Sequence, residues 1–336
     1  MKPLILLILL FISGLTFSAT AQEGATSLKP LGINLEGYDY AYPVDYFALG
    51  DDLQMAYVLL EPTANSRGET MVLLHGKNFN AAYWEQTARW LQSQGYRVVL
   101  VDQLGFGKSS KPTNYPYTFQ QLIKNTENLL DAVGVEEYSL LGHSMGGMMA
   151  LHWAHKAPVG LKQTIVVNPI GLEDWMAEGV PYRGFEAWYD RELKKNYQGI
   201  KDYQQESYYD GRWNDEFARW AELLARPTLS PDYPQLANVQ AQTYAMVASE
   251  PIAGRWSEIP GEVVLIIGDR DRTALGKDLV SEDLKARLGR YDSLGLEVAE
   301  ALPRGRLIPL SGLGHLPHIE SWSRFQEALS EALSGP

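Results

Sequence analysis

Short, uninterrupted apolar runs alternate with stretches of helical spacing along most of this chain. Gln54–Leu60, Thr70–Leu74, Arg97–Val101, Tyr138–Leu141, Thr164–Val167, Val263–Ile267 and Arg306–Pro309 read as strands. Between them, Ala81–Gln94 puts Trp84, Ala88 and Leu91 on one helical face and stops at Gly95. Phe119–Val133 stops at Gly134, Met145–Ala157 at Pro158, and Arg324–Leu333 closes the chain. Strands that are apolar throughout, without alternation, are buried on both faces. That pattern predicts a mostly parallel sheet with helices on both sides. Ligands of such sheets bind beyond the carboxyl ends of the strands. The loops after Leu74, Leu141, Ile267 and Pro309 are therefore where chemistry is expected. The rhythm stops between Ile170 and about Pro260. That stretch has no buried strand, is rich in aromatics such as Trp175, Trp188, Tyr208 and Trp220, and is punctuated by Pro227, Pro231 and Pro234. It reads as a helical insertion.

The first residues follow another logic. Lys2 precedes an apolar run from Leu4 to Phe17, and Ala19-Thr20-Ala21 supplies a small-x-small cleavage site. The run falls short of the roughly 20 residues a spanning helix needs. Residues 1–21 are thus expected to be a signal peptide, cleaved near Ala21 to leave Gln22 first, with a periplasmic or secreted product. Residues 22 to about 37 read as an irregular arm. The chain has no Cys, which excludes disulfides, thiolate nucleophiles and cysteine-held metals. Its net charge of -12 argues against nucleic acid and anionic membrane surfaces as partners.

The chemistry concentrates at Gly142-His143-Ser144-Met145-Gly146-Gly147, which follows a buried strand and opens a helix. A Gly-x-Ser-x-Gly in that context lifts the serine hydroxyl above the sheet on a sharp turn that leaves no room for neighbouring Cβ atoms. Ser144 is the candidate nucleophile. It needs a base, and the base needs an acid. Of the six His, His75 reads as a turn residue and His143 as part of the elbow. His152 and His155 fall on the following helix. His315, on Gly312-Leu313-Gly314-His315 past the last strand, is the candidate base in preference to His318. Two carboxylates compete for the acid in Gly268-Asp269-Arg270-Asp271. Asp271, further out along the loop, is preferred; Asp269 could instead bond loop amides or pair with an arginine. Glu173 and Asp174, beyond the preceding strand, are the fallback. An oxyanion hole needs two backbone N–H donors. Met145 supplies one, and the loop after His75-Gly76 the other, from Lys77 or Asn78. The Lys77 side chain could attract an anionic substrate, although the plainer reading is that only its backbone matters.

From about residue 50 to the C-terminus, His75-Gly76, Asp102–Ser109, Gly142–Gly147, Gly268–Asp271 and Gly314-His315 with Pro317 resemble the α/β-hydrolase superfamily in its lid-bearing branch. The resemblance implies core segments 22–169 and 261–336, with residues 170–260 as a lid over the pocket. It implies an acyl transfer to water through Ser144, His315 and Asp271, with the Met145 and Lys77 amides on the oxyanion. A small-molecule carboxylic ester with an apolar or aromatic acyl part is the default substrate. No metal or cofactor is called for, and no membrane insertion after signal cleavage. Carbon–carbon bond hydrolases, aminopeptidases and non-catalytic binding members share the pattern. Relatives that use an Asp nucleophile are disfavoured by Ser144. The chain departs from the branch at Thr273-Ala274-Leu275, where a proline is common, and in a long Asp271-to-His315 segment.

Overall fold

The computed structural model describes residues 28–50 and 52–335. The expected signal segment at residues 1–21 lies outside them, as do residues 22–27 of the arm. The strands, in chain order, are β1 (Asp45–Ala48), β2 (Gln54–Leu60), β3 (Thr70–Leu74), β4 (Arg97–Val101), β5 (Tyr138–His143), β6 (Leu161–Val167), β7 (Val263–Gly268) and β8 (Gly305–Leu310). They form one sheet in the order β1-β2-β4-β3-β5-β6-β7-β8. β1 and β2 run antiparallel, and every pair from β4 to β8 is parallel. The carboxyl ends of β3, β5, β7 and β8 therefore share one edge.

The helices are α1 (Glu85–Ser93), α2 (Phe119–Ala132), α3 (Met145–His155), α4 (Phe185–Leu193), α5 (Tyr197–Ser207), α6 (Asp215–Ala225), α7 (Tyr233–Ser249), α8 (Glu282–Arg287), α9 (Tyr291–Ala301), α10 (Pro317–Glu320) and α11 (Trp322–Leu333). Strand pleating sends alternate side chains to opposite faces, and each face has its own core. Val72, Leu74, Val99 and Leu140 pack under α2, α3 and α9, contributing Leu129, Met149 and Val298. Met71, Leu73, Val98 and Leu141 pack under α1 and α11 through Leu91, Phe325 and Leu329. α4 to α7 form the helical insertion between β6 and β7. Side-chain caps start α2, α5 and α6, among other elements. Thr118 accepts from Gln121 N–H, Asn196 from Gly199 and Asn214 from Phe217.

Three elements differ from the sequence pattern. β1 is mostly exposed, so it carries no apolar run. The predicted Ala81–Gln94 helix is split into a tight 3-10 turn at Ala81–Trp84 and α1. Asn80 accepts from Ala82 N–H and Asp102 from Ala81 N–H, which fixes the turn's start. The long segment after Asp271 holds α8 and α9, for which the sequence pattern gave no helix. Gly295 lies mid-helix in α9, where a Cβ would meet Ile267 and Leu307 at 3.0 and 3.1 Å. The glycine that hides the helix in the sequence is what lets it approach the sheet.

Candidate active site

β5 delivers Ser144 to the sheet edge, and α3 begins at the next residue. Ser144 sits at φ 55° and ψ -120°, a conformation that costs a non-glycine residue on the order of 1–3 kcal/mol and persists only where the surroundings enforce it. They do so here by close approach. A Cβ on Gly142 would fall 2.3 Å from the Gly146 carbonyl oxygen, and one on Gly146 would fall 2.2 Å from that of Leu74. The turn can therefore be this tight only with glycine at both places.

The structure brings Ser144, His315 and Asp271 together. His315 Nε2 lies 3.0 Å from Ser144 Oγ, and His315 Nδ1 lies 2.6 Å from Asp271 Oδ2. His315 and Asp271 are 0% exposed and Ser144 is 5% exposed. With Nδ1–H donating to the carboxylate, Nε2 is left to accept the serine proton. Asp271 Oδ1 accepts from Thr273 N–H at 2.8 Å, and Oδ2 also accepts from Asn168 Nδ2 at 3.0 Å. Asp269 instead accepts from Gly312 N–H at 2.7 Å and so ties the β7 loop to the β8 loop. Of the fallback carboxylates, Glu173 accepts from Gly289 N–H and Trp175 Nε1–H, and Asp174 from the Met176 and Ala177 N–H groups. Neither is bonded to His315.

The expected oxyanion donors from Lys77 or Asn78 lie in the turn after β3. Phe79 N–H returns to Gly76 O. The Lys77, Asn78 and Met145 N–H groups meet no protein acceptor among the described residues, so all three are available to a ligand oxygen. The Lys77 ammonium is buried and engaged elsewhere. Nζ donates to Gln240 O and Oε1 at 3.1 and 2.9 Å, and sits 3.7 Å from the Tyr244 ring centre. Burial pulls this ammonium well below the usual lysine range. The side chain thus fastens the oxyanion turn to α7 and does not stand free for an anion.

Some groups at this site have no local sequence pattern. Asn168 receives Gly268 N–H and donates to Gly268 O and Asp271, so it locks the β7 end and the acid together. Its only trace in the sequence is an Asn-Pro after a buried strand. Tyr208, from the insertion, stacks on His315 with ring centres 4.4 Å apart, and its carbonyl accepts from His315 N–H at 2.9 Å. A cavity of about 450 Å³ is lined by Asn78, Trp188, Tyr203 and Tyr244 together with charged side chains such as Arg191 and Glu192. Asn78 bridges inward by donating to Tyr208 Oη at 2.8 Å.

Glu320 supports the base loop from below. It accepts from Gly314 N–H at 2.7 Å and pairs with Arg212 of the insertion at 2.6 Å. Burial pushes its carboxyl up to about 7, against the opposing pull of Arg212 and the amide. A free glutamate titrates near ~4.3. Between those values the folded chain holds a proton that the unfolded chain has released. This group's contribution to stability therefore falls as pH rises from about 4.3 to about 7. Glu320→Gln removes that slope. Melting temperatures at both ends of the window should show wild type losing stability relative to the variant. Parallel pH profiles would contradict this.

A family model described as alpha/beta hydrolase fold matches residues 69–267. The chain is 27% identical over 239 residues to 2-hydroxy-6-oxo-6-phenylhexa-2,4-dienoate hydrolase of Comamonas testosteroni, covering 67% of this chain and 79% of the relative. It is 35% identical over 118 residues to Lipase 1 of Psychrobacter immobilis, about a third of either chain (35% and 36%). The crystal structure of a probable hydrolytic enzyme from Pseudomonas aeruginosa PAO1 superposes with a TM-score of 0.88 at 44% identity, covering 91% of this chain and 99% of that one. With the parallel sheet, the serine elbow and the insertion already in view, these likenesses show that the chain is a hydrolase belonging to the alpha/beta hydrolase fold family.

Proposed function

We propose that the chain is a serine hydrolase that transfers an acyl group from a small or medium carboxylic ester to water. The observation that supports this is the continuous chain from Ser144 Oγ through His315 to Asp271, at 3.0 and 2.6 Å, with all three residues buried. Ser144 attacks the ester carbonyl as its proton passes to His315 Nε2. The oxyanion forms against Met145 N–H and a second amide, Lys77 or Asn78, and Asp271 holds the imidazolium. Collapse breaks the ester C–O bond, and Nε2 returns the proton to the leaving alcohol. Water then repeats the sequence on the acyl-serine, with His315 again taking and returning a proton. No step calls for a metal or a cofactor. The insertion acts as a lid, and its cavity receives the part of the substrate remote from the carbonyl.

A panel of 4-nitrophenyl esters of increasing acyl length tests this reading. Turnover with saturation is expected, and no release above the buffer rate with any ester would overturn it. The second reading is a carbon–carbon bond hydrolase. It is favoured by the relative named as a hydrolase of 2-hydroxy-6-oxo-6-phenylhexa-2,4-dienoate, and a substrate of that class belongs in the same panel.

Export is part of the proposal, from the charged start, the apolar run and the Ala19-Thr20-Ala21 site. Intact-mass measurement on protein from its own host should give an N-terminus at or near Gln22. A retained Met1 in a membrane fraction would contradict it.

A further inference from the structure

Behind the serine, a second set of hydrogen bonds joins three of the four loops that meet at the site, those after β3, β5 and β8. Gly76 N–H, in the oxyanion turn, donates to Tyr83 Oη at 2.9 Å. Tyr83 Oη lies 3.0 Å from His143 Nδ1, and His143 Nε2 lies 2.8 Å from the carbonyl oxygen of His315. The protons can be placed from these partners alone. A carbonyl only accepts, so Nε2 carries the hydrogen and Nδ1 of the neutral ring accepts. Tyr83 receives Gly76 N–H and gives its one hydroxyl proton to Nδ1. The neutral ring this requires agrees with burial, which drives His143 well below the usual imidazole range.

Packing holds the relay rigid. Tyr83 stacks on Phe79 at 4.9 Å and 7°. The His318 ring stands edge-on to both Tyr83 and His143, each at 4.9 Å. Gly76 presses against the far side, where a Cβ would be 3.0 Å from both His143 Nδ1 and Ser144 Cβ. His143 immediately precedes Ser144 and grips the backbone of the very residue whose side chain faces Ser144 Oγ.

We propose that Tyr83 and His143 are positioning residues. They hold the oxyanion turn, the serine elbow and the base loop at one mutual spacing, without touching substrate. The inference rests on the serine-hydrolase reading for its substrate. A displacement of about 1 Å in such a site can cost ~100-fold in rate, so the effect belongs in the acylation step and not in the dissociation constant of the substrate.

The test uses the full mature chain and a 4-nitrophenyl ester, with burst and steady-state phases, on Tyr83→Phe, His143→Leu, His143→Gln and the Tyr83→Phe/His143→Leu pair. Tyr83→Phe, which keeps the ring and its packing, should lower the acylation rate by about 10-fold. His143→Leu should lower it by about 100-fold, with the substrate dissociation constant taken from the concentration dependence of the burst within about twofold. Gln retains both a donor and an acceptor, so His143→Gln should recover most of the loss. The double variant should be no more than about twofold slower than His143→Leu, because the two residues act in one relay. If His143→Leu does not fold, Tyr83→Phe and His143→Gln carry the comparison. A wild-type rate in Tyr83→Phe, additive losses in the pair, or His143→Gln no better than His143→Leu would each overturn the inference. A wild-type protein inert towards every ester would overturn the functional reading beneath it.

Discussion

Ser144→Ala is expected to lower ester turnover by at least ~10⁴-fold, because removing one member of a triad removes most of what the triad does together. The fold should survive. Among the described residues, Ser144 Oγ is bonded to His315 Nε2 alone, and that bond is between side chains at the site, not across the core. The strained backbone at φ 55° is set by Gly142 and Gly146 and not by the hydroxyl. The melting temperature should therefore stay within a few degrees of wild type, since loss of one neutral hydrogen bond is worth about 1 kcal/mol. Steady-state kinetics and a thermal melt on the same preparation check both halves. A variant that keeps more than about a tenth of the activity would remove Ser144 from the role of nucleophile.

Asp271→Asn should approach the same loss, about 10⁴-fold, while Asp269→Asn should lose little. Asp271 faces three donors: His315 Nδ1, Asn168 Nδ2 and Thr273 N–H. A carboxylate accepts from all of them, whereas an amide must set its own NH₂ against at least one. Where the NH₂ faces His315, the ring carries its proton on Nε2 and cannot take one from Ser144. Asp269 offers only Oδ1 to Gly312 N–H, and Asn keeps that oxygen. Rates and melting temperatures of both variants separate the two roles. A collapse in Asp269→Asn with a near-normal Asp271→Asn would reverse the assignment.

Much of this architecture was readable along the chain because the strands from β3 to β7 are covered on both sides over their carboxyl-terminal stretches, such as Ile165–Val167 and Val98–Val101, which therefore had to be apolar. β1 escaped notice because an exposed edge strand needs no such run. α9 escaped because Gly295 weakens the helical pattern at the point where the helix touches Ile267. At the site, Ser144, His315 and Asp271 stood out because each sits where a buried strand ends, a constraint local in sequence. Asn168, Tyr208 and Tyr83 did not. Each acts through a partner far along the chain: Asn168 on Asp271, Tyr208 on His315 and Tyr83 on His143. Tyr208 in particular is one of 19 tyrosines in a stretch where aromatics mostly build the insertion's own core. The Lys77 side chain could be read either as an anion lure or as a bystander. It instead bonds α7, a partner visible only once the insertion is folded over the site.

In the proposed mechanism Ser144, activated by His315, is the attacking group. Incubating the mature protein with a fluorophosphonate and mapping its peptides by mass spectrometry tests this most directly. Attack by Oγ expels fluoride and leaves the phosphonyl group on the serine. One adduct is expected, on the peptide carrying Ser144, absent from Ser144→Ala and formed at least ~100-fold more slowly in His315→Ala. An adduct on any other residue, or none with the protein still folded, would contradict it.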